Sequence, residues 1–274
     1  MFDVLHRSGN VHDSNGAKDF ILQCIAHIRE AFPDVTIELR MDSAFFSDEI
    51  ITALNALDNV EYSISVPLSR FSELKAIIEQ RKRWRPIDVK FSFFEKQWKP
   101  KSWSRRHRFI FIRQQSKQAT QGLLQLDLFE PYSVDQDYTM IVTNKEDDDA
   151  QAVLYFHHGR GSQEGLFAEL KSHNHLDYIP CKQWHANQAY LLATLFAHNL
   201  NRELQMTGST PQREQSAKRA ALWAFEKLDT QRQRLLQRAG RLLRPQGKLI
   251  LSMAANDAVS KKMVGHLEKL LQTA

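Results

Sequence analysis

The segment VTIELRMD, residues 35–42, decides the fold that this sequence predicts. Its apolar residues alternate with polar ones, which is typical of a β-strand with one buried face. Asp42 stands at the carboxyl end of that strand, where the ligands of open α/β sheets gather. The segment therefore predicts both a core strand and a candidate site residue.

The elements on either side of this strand complete an α/β pattern. Residues 16–32 carry apolar residues at helical spacing, and Pro33 ends that helix. Ser47 begins a second helix that runs through Leu57, and residues 60–66 alternate as a second strand. The order helix, strand, helix, strand predicts an α/β fold.

The composition excludes several classes of protein. Of the 274 residues, 42% are hydrophobic and 25% are charged, which excludes disorder of the whole chain. No apolar run approaches the ~20 residues of a membrane span, and the first residues lack the apolar core of a signal peptide. We therefore expect a cytoplasmic protein with no membrane partner. Cys24 and Cys181 form no disulfide or metal motif, so we expect buried thiols.

Positive charge is concentrated in two regions. Residues 81–117 contain 13 Lys and Arg but 2 acids, and residues 201–274 contain 14 Lys and Arg but 6 acids. Aromatic residues are interleaved with the first run, so it belongs to a folded segment. Two such regions favour a polyanionic partner, because each cation that neutralises a phosphate releases a counterion. A solvated cationic face is the alternative that charge alone leaves open.

Changes in pattern divide the chain into four parts. Residues 1–66 form the α/β segment, and residues 67–140 form a basic, aromatic, β-rich insertion. Residues 141–204 return to the core, and residues 205–274 form a basic helical region that ends in a strand. The apolar stripe of a helix over residues 184–204 fits a core helix packed on the sheet, with a dimer face as the alternative. Strands of the insertion are predicted from three runs, at residues 89–94, 108–113 and 123–129.

Glu164 is the second carboxylate that stands out by position. Arg160, Glu164 and Lys171 are spaced four and seven residues apart, which puts them on one face of a predicted helix. Acidic oxygens from separate elements suit Mg²⁺ or Mn²⁺, and two such ions about 3.5–4 Å apart can clamp the oxygens of a phosphodiester displacement. The alternatives are a turn or cap role for Asp42 and a solvated face for the helix.

Four separated blocks of this sequence resemble one family. They are RSGNVHDSNGAKDFI, ELRMDSAFFSDEIITAL, GRGSQEGLFAELKSHNHLDYIPCKQWHANQAYLLATLFAHNL and RAGRLLRPQGKLILSM, in that order. Together they resemble the carboxyl-terminal two-thirds of DDE-type insertion-sequence transposases (transposase DDE domain, group 1). The resemblance implies an incomplete ribonuclease-H-like α/β core, with a mixed sheet and flanking helices. The basic β-rich insertion interrupts that core, and a helical carboxyl-terminal region follows it.

The resemblance also implies roles for individual residues. Asp42 matches the second catalytic Asp and Glu164 the catalytic Glu, and both would be ligands of Mg²⁺ or Mn²⁺. Arg160 and Lys171 match basic positions of the family's helix signature and would position DNA phosphates. The signature's Tyr falls on His157, so this sequence departs from the family at a position that we expect to contact phosphate or DNA.

The function that the resemblance implies is transposition of an insertion sequence. Metal-dependent hydrolysis would cut a phosphodiester at the element's end, and the freed 3′-hydroxyl would attack target DNA. The partners would be double-stranded DNA, as transposon ends and target, and a second copy or a full-length transposase, at the nucleoid of a bacterial cell. The aromatic residues of the insertion would stack an unpaired base or grip the strand near the cut.

One feature of the family is not matched in this sequence. The first catalytic Asp lies upstream of the block that is HRSGNVHDSNG here, and no residue of this sequence matches it. Because the first Asp normally bridges both metal ions, its loss should remove the site that orders them. We therefore expect a truncated transposase that is inactive alone.

Two rival functions stay open on the sequence. A non-catalytic DNA-binding module, acting as an inhibitor of a transposase, would keep both basic regions and need neither carboxylate. A metal hydrolase unrelated to DNA would use histidines on either side of the Glu164 helix, although their spacing matches no HExxH pattern and suits partly exposed loop residues. These histidines are His157, His158, His173 and His175.

Overall fold

The computed structural model describes most of the chain as two compact units. The described residues are 2–7, 9–11, 15–115, 136–159, 161–209, 213–216, 219–233, 237, 239–253 and 256–273. Ser8–Arg160 form one unit, here called the sheet unit. Met1–Arg7 and Gly161–Ala274 form the other, here called the terminal unit. The predicted division into four parts stays a prediction.

The sheet unit alternates helices with strands. Its helices are α1 (Ala17–Ala31), α2 (Asp48–Asn55), α3 (Ser72–Glu79) and α4 (Ala150–His158), with short 3-10 turns at Ser43–Phe45 and Leu68–Arg70. Its strands are β1 (Ile37–Met41), β2 (Val60–Ser65), β3 (Arg85–Pro86), β4 (Phe91–Trp98), β5 (His107–Gln115) and β6 (Gln136–Thr143).

The first elements of this unit follow the local signals of the sequence. Ile37 and Met41 of β1 are buried, whereas Glu38 is exposed, so the strand has one apolar face. Ser47 caps α2, because its side chain accepts a hydrogen bond from the Ile50 amide at 3.2 Å. The predicted order helix, strand, helix, strand is confirmed.

Six strands form one mixed sheet in the order β1-β2-β6-β5-β4-β3. β1 and β2 pair in parallel, and the other neighbours pair antiparallel. The α/β class is confirmed, and the mixed sheet is compatible with a ribonuclease-H-like domain. Because β6 pairs directly with β2, the strands of the predicted insertion extend the sheet that begins with β1. The runs at 89–94 and 108–113 contribute to β4 and β5, whereas the run at 123–129 lies outside the described residues.

The sheet buries apolar side chains on both faces. Helices α1, α2 and α3 cover one face, and α4 covers the other. Along β5, Phe109 and Phe111 pack in the core on the face covered by α1, α2 and α3, whereas Ile110 and Ile112 pack in the core on the face covered by α4. Successive strand residues point to opposite faces, so a continuous apolar run such as this one marks a strand that is covered on both sides.

The terminal unit combines long helices with two small hairpins. Its helices are α5 (Gly161–Asn174), α6 (Trp184–Ser209), α7 (Leu228–Gln231) and α8 (Asp257–Thr273). One hairpin pairs β7 (Arg213–Ser216) with β8 (Arg219–Trp223), and the other pairs β9 (Gly240–Leu243) with β10 (Ile250–Met253). On α6, Leu191 and Leu195 are buried but Phe196 is 69% exposed, so its apolar stripe is covered only in part.

Two features of the carboxyl-terminal region correct the prediction. Residues 205–274 are predicted to be helical and to end in a strand, but β7, β8 and β9 lie within them, and α8 rather than a strand is the last element that the structure describes. The turn Pro245–Gly247 joins β9 to β10, and Gly247 has φ 81°, the left-handed region that favours glycine. Pro and Gly between two apolar runs are a hairpin signal that outweighs the helical spacing of these short segments.

The two cysteines differ in exposure. Cys24 is half-buried, but Cys181 is exposed, so the expectation of a buried thiol is wrong there. Cys181 lies in the connection between α5 and α6, outside any core.

Across the described ranges, no helix has both the length and the apolar character needed to cross a membrane.

Replacing Phe111 with Ala should destabilise the sheet unit. The ring is fully buried and stacks on Phe94 with the ring centroids 4.4 Å apart. Because truncation leaves a cavity, the free energy of unfolding should fall by about 3–5 kcal/mol, as measured by urea denaturation. Val89→Ala is the control: that side chain is fully exposed, so the change should stay below about 0.5 kcal/mol. Equal losses in the two variants would contradict the observed core.

Candidate functional site

Asp42 lies where the sequence predicts, directly after β1. It is half-buried and caps the 3-10 turn Ser43–Phe45, because its Oδ1 accepts a hydrogen bond from the Ala44 amide at 2.9 Å. The cap role that the sequence left open is therefore observed. A carboxylate has about four lone-pair sites, so one backbone hydrogen bond is compatible with ligation of a metal ion.

His157 lies on α4 and joins that helix to β2. Its side chain is 5% exposed. Its Nδ1 lies 2.9 Å from Ser63 Oγ, and its Nε2 lies 2.8 Å from Ser65 Oγ. In the parallel register, Met41 of β1 lies opposite Ile64 of β2. Asp42 and Ser65 are the next residues of the two segments, so they lie at the same end of the sheet. The observed partners of His157 are these serines, and its contact with DNA stays a prediction.

Arg40 meets the last turn of α4 from β1. Its Nη1 donates a hydrogen bond to the Phe156 carbonyl at 3.2 Å, and its guanidinium carbon lies 5.0 Å from the centroid of the Phe156 ring. Burial lowers the pKa of Arg40, while the charge of Glu38 opposes that shift. Gly159 is buried beside it, and a Cβ at that position would overlap the guanidinium. The end of α4 is thus shaped around Arg40.

Glu164 and Lys171 both lie on α5 in the terminal unit, and both are exposed. Their separation of seven residues is about two helical turns, so they share one face. Arg160, the third member of the predicted face, lies outside the described residues. α4 ends at His158 and α5 begins at Gly161, so the segment with the family's helix signature spans the junction of two helices.

Glu169 is the carboxylate that fixes α5 within the terminal unit. Its Oε2 accepts a hydrogen bond from Arg202 at 2.5 Å, and its Oε1 accepts one from the Leu228 amide at 3.2 Å. Glu164, in contrast, makes no side-chain hydrogen bond or ion pair with any residue that the structure describes. An acid in the first turn of a helix is favoured by the helix dipole.

Comparison with protein families identifies the chain. The family model for the transposase DDE domain, group 1, matches residues 1–274. This chain belongs to that family. Searches of curated proteins and of solved structures returned no match. Membership in the DDE transposase family supports a role in DNA transposition in general.

The donor chemistry of the two carboxylates fits the metal ions of DDE transposases, which are divalent. Mg²⁺ and Mn²⁺ are hard cations that prefer carboxylate oxygens, and Asp42 and Glu164 offer such oxygens at a strand end and in the first turn of a helix. Asp42 belongs to the sheet unit and Glu164 to the terminal unit. Their convergence on one ion stays a prediction.

The histidine-based hydrolase gains no support from the described residues. His157 contacts two serines in the sheet unit, whereas His173 lies in the terminal unit with its Nδ1 2.7 Å from Asp229 Oδ2. His158 and His175 are exposed. Within the described ranges, no three His, Cys, Asp or Glu side chains cluster in a way that could hold a metal ion.

Lys145 pairs with acids of β1 and β2 and with one acid just before α4. The side chain is 5% exposed and pairs with Glu38, with Glu61 and, at 3.3 Å, with Asp148. Burial alone would lower the pKa of Lys145, but hydrogen bonds to Glu38 and Glu61 outweigh it and hold the pKa above its ordinary value. These acids therefore bind a buried cation of the protein.

The basic run of the sheet unit buries aromatic rings and exposes cations. Arg81 lies over the Phe94 ring at 4.7 Å, and Arg113 lies over the Trp84 ring at 4.8 Å. Five rings of the run are buried in the core, so the expectation that they stack a base is wrong for them: Phe94, Trp98, Trp103, Phe109 and Phe111. The exposed cations at its start, here called the basic surface, are Arg81, Lys82, Arg83, Arg85 and Lys90.

Replacing Lys145 with Met should destabilise the sheet unit in a pH-dependent way. Because the folded-state pKa of Lys145 is raised, the stability that it contributes is complete below about pH 10 and is lost as the pH rises through the folded-state pKa. We expect a loss of about 1–3 kcal/mol at neutral pH, since the partner acids Glu38 and Glu61 are partly exposed.

Urea denaturation at several pH values measures this loss. The difference in the free energy of unfolding between Lys145→Met and the unsubstituted chain should decrease above about pH 10. Lys101→Met is the control, because that lysine is 91% exposed and its pair with Glu73 lies at the surface. A loss in the free energy of unfolding that is the same for both variants, or that increases at alkaline pH, would contradict the stabilising role of the buried cation.

Proposed function

We propose that this chain acts in transposition of an insertion sequence, through metal-dependent phosphodiester hydrolysis and strand transfer on double-stranded DNA. The observation that carries the proposal is the family match over residues 1–274. The position of Asp42 at the carboxyl end of β1 and the exposed Glu164 on α5 support it. Association with a second copy or a full-length transposase, and a place at the bacterial nucleoid, belong to the same proposal.

In this proposal the residues of the chain hold the metal ion and the DNA. When bound, Mg²⁺ or Mn²⁺ activates the attacking oxygen and stabilises the leaving one. Asp42, oriented by the Ala44 amide, and Glu164 are two of the carboxylate ligands. Lys171 and Arg160 bind backbone phosphates beside Glu164. The role of the family's first Asp is assigned to none of the described residues, and for this reason we expect the chain to be inactive alone.

Mn²⁺ binding tests the two carboxylates directly. Asp42→Asn keeps an acceptor for the Ala44 amide, so it should leave the fold intact while removing a charged ligand. Glu164→Gln removes an exposed carboxylate without a structural partner in the described part of the chain. We expect each variant to weaken Mn²⁺ binding about tenfold or more, since a hard cation prefers a charged oxygen. Isothermal titration calorimetry measures the affinity.

Glu169→Gln is the matched control for Glu164→Gln. Both residues lie on α5, but Glu169 is engaged by Arg202 and by the Leu228 amide. Its substitution should lower the melting temperature of the chain and leave Mn²⁺ affinity within about twofold, because it removes a structural contact and not a ligand. If Mn²⁺ binds equally to the unsubstituted chain, Asp42→Asn and Glu164→Gln, the proposed ligands are wrong.

The alternative is a non-catalytic DNA-binding fragment that inhibits a transposase. The basic surface favours it, because its exposed cations lie at residues 81–90 and need neither carboxylate to bind phosphate. DNA binding that persists in Asp42→Asn and Glu164→Gln, together with the absence of Mn²⁺ binding to the unsubstituted chain, would favour this alternative. Loss of cleavage in either variant would favour the catalytic function.

DNA binding should depend on the basic surface and fall steeply with salt. Each phosphate contact contributes about −0.9 to the slope of log affinity against log salt. Lys82→Ala combined with Arg83→Ala should therefore reduce that slope by about 2, as measured by fluorescence anisotropy with a double-stranded oligonucleotide. Lys248→Ala with Lys261→Ala removes the same charge from exposed positions of the terminal unit. Equal losses in both double variants would show that the basic surface is not the principal DNA site.

A further inference from the structure

Arg113 is a cation of the sheet unit whose side chain is held in one orientation. It lies on β5, opposite Ser92 of β4. Its Nε donates a hydrogen bond to Ser92 Oγ at 2.8 Å, and its guanidinium carbon lies 4.8 Å from the centroid of the Trp84 ring. A guanidinium has five N–H donors in one plane, so these contacts fix the group and leave four donors for a ligand.

The ring beneath this guanidinium is itself fixed. The indole nitrogen of Trp84 donates to the Arg81 carbonyl at 3.2 Å. The Trp84 ring meets the buried Phe94 edge-on, with the ring centroids 4.7 Å apart, and Tyr138 at 6.0 Å. Arg113 therefore lies on a support that belongs to the core. Because folding has already restricted its rotamers, binding a ligand costs it little further entropy.

The charge of Arg113 has no acidic partner in the part of the chain that the structure describes. The residue is half-buried, and among the described residues its side chain hydrogen-bonds to Ser92 alone. Arg108, on the same strand, differs: it pairs with Glu95 and donates to backbone carbonyls. The protein thus uses the donors of Arg108 for its own fold, whereas most donors of Arg113 stay available for an anion.

These donors lie at an open pocket, here called the Arg113 pocket, of about 200 Å³. Ser92, Lys90 and Gln136 also line it, and Lys90 belongs to the basic surface. Gln136 Oε1 is buried and has no hydrogen-bond partner among the described residues. A half-turn of the amide puts its N–H donors at the same place, and a buried polar atom without a partner indicates a polar ligand.

Asp88 is the acid of this pocket, and the protein satisfies its carboxylate. Its Oδ1 accepts hydrogen bonds from the amides of Lys90, at 2.7 Å, and Phe91, at 2.9 Å. Its Oδ2 accepts one from the Tyr155 hydroxyl at 3.0 Å. Because three donors stabilise this carboxylate and two cations line the same pocket, the balance of charge there favours an anion.

The register of the sheet puts the Arg113 pocket at the end that carries Asp42. β2 and β5 both pair antiparallel with β6, so they run in the same direction. Ile141 of β6 lies opposite both Ser65 of β2 and Ile110 of β5. Arg113 is three residues farther along β5, or about 10 Å beyond that level. A polyanion held near Asp42 would therefore come within reach of this pocket.

We propose that Arg113, Lys90 and Gln136 bind a backbone phosphate of double-stranded DNA, with the guanidinium oriented by Trp84 and Ser92 before DNA arrives. This inference rests on the proposed function for the identity of the polymer. The pocket is smaller than the 300–1,000 Å³, in round numbers about three times its size, of small-molecule sites, so it suits a single phosphate group. Its continuity with the basic surface through Lys90 favours the phosphate of a polymer.

Salt-dependent DNA binding tests the role of Arg113. Arg113→Met is compared with Arg106→Met, which removes the same charge from an exposed position in the turn at the other end of the β4 and β5 pair. Fluorescence anisotropy with a double-stranded oligonucleotide measures affinity under conditions where circular dichroism shows each variant folded. We expect Arg113→Met to weaken binding about tenfold and to reduce the salt slope by about 1, and Arg106→Met to stay within about twofold. Equal effects would overturn the pocket.

Two milder variants separate an oriented guanidinium from diffuse charge, and they decide the test if Arg113→Met does not fold. Arg113→Lys keeps the charge but loses the planar group, and Ser92→Ala keeps Arg113 but removes the acceptor of its Nε hydrogen bond. Each should weaken DNA binding about threefold or more, whereas Arg106→Lys should bind as the unsubstituted chain does. If Arg113→Lys and Ser92→Ala also bind normally, the orientation of Arg113 has no role in DNA binding.

Inorganic phosphate distinguishes a free anion from the DNA backbone as the ligand. If calorimetry shows that phosphate binding depends on Arg113 while Arg113→Met binds DNA normally, the pocket serves a free anion and the proposal is wrong. If the unsubstituted chain binds no double-stranded DNA, the DNA partner of the proposed function fails together with this inference. If it binds DNA and the salt slope of Arg113→Met is unchanged, the proposed function stands and the phosphate role of Arg113 alone fails.

Discussion

The parallel pairing of β1 with β2 is the constraint on which the rest of the sheet unit depends. Parallel neighbours need a connection that crosses the face of the sheet, and the segment with α2 supplies it while closing one core. The pairing sets Met41 opposite Ile64, so the polar residues that follow each strand lie at one end of the sheet. At the same end, the His157 side chain of α4 lies 2.8 Å from Ser65 Oγ. The helix that covers one face of the sheet thus contacts the parallel pair of strands.

The pairing of β1 with β2 also brings two acidic side chains together, because Glu38 lies opposite Glu61. The strands bring Glu38 and Glu61 beside Lys145, and this buried cation neutralises acids that would otherwise repel one another. Removing either sign from such a cluster destabilises the fold, because it leaves the other charge without compensation. Asp148, just before α4, shares this cation and so contributes to the attachment of the helix to the sheet, whereas the candidate metal ligands, Asp42 and Glu164, are different residues.

Family membership and geometry contribute different parts of the functional argument. The family match over residues 1–274 supports DNA transposition, and the exposed cations of the basic surface suit a phosphate backbone. Five aromatic rings that follow those cations in the chain are buried in the core, so affinity for DNA is expected from charge rather than from base stacking.

The sequence by itself determined the features that depend on local periodicity. The alternation before Asp42, the helix that Ser47 caps and the apolar run of β5 each predicted an element, because the pattern of neighbours along the chain is enough to specify it. The prediction of a helical region over residues 205–274 is wrong for β7, β8 and β9, since strands of four or five residues are too short for periodicity to distinguish from a helix.

Only the tertiary structure decided which distant residues meet. Arg40 contacts Phe156 across 116 positions, and Lys145 meets Glu38 across 107. No spacing rule predicts such pairs, because they depend on the order of the strands in the sheet and on the side from which α4 packs. The physical reason is that a chain encodes periodicity locally, whereas the partner of a buried charge is selected by the path of the whole backbone.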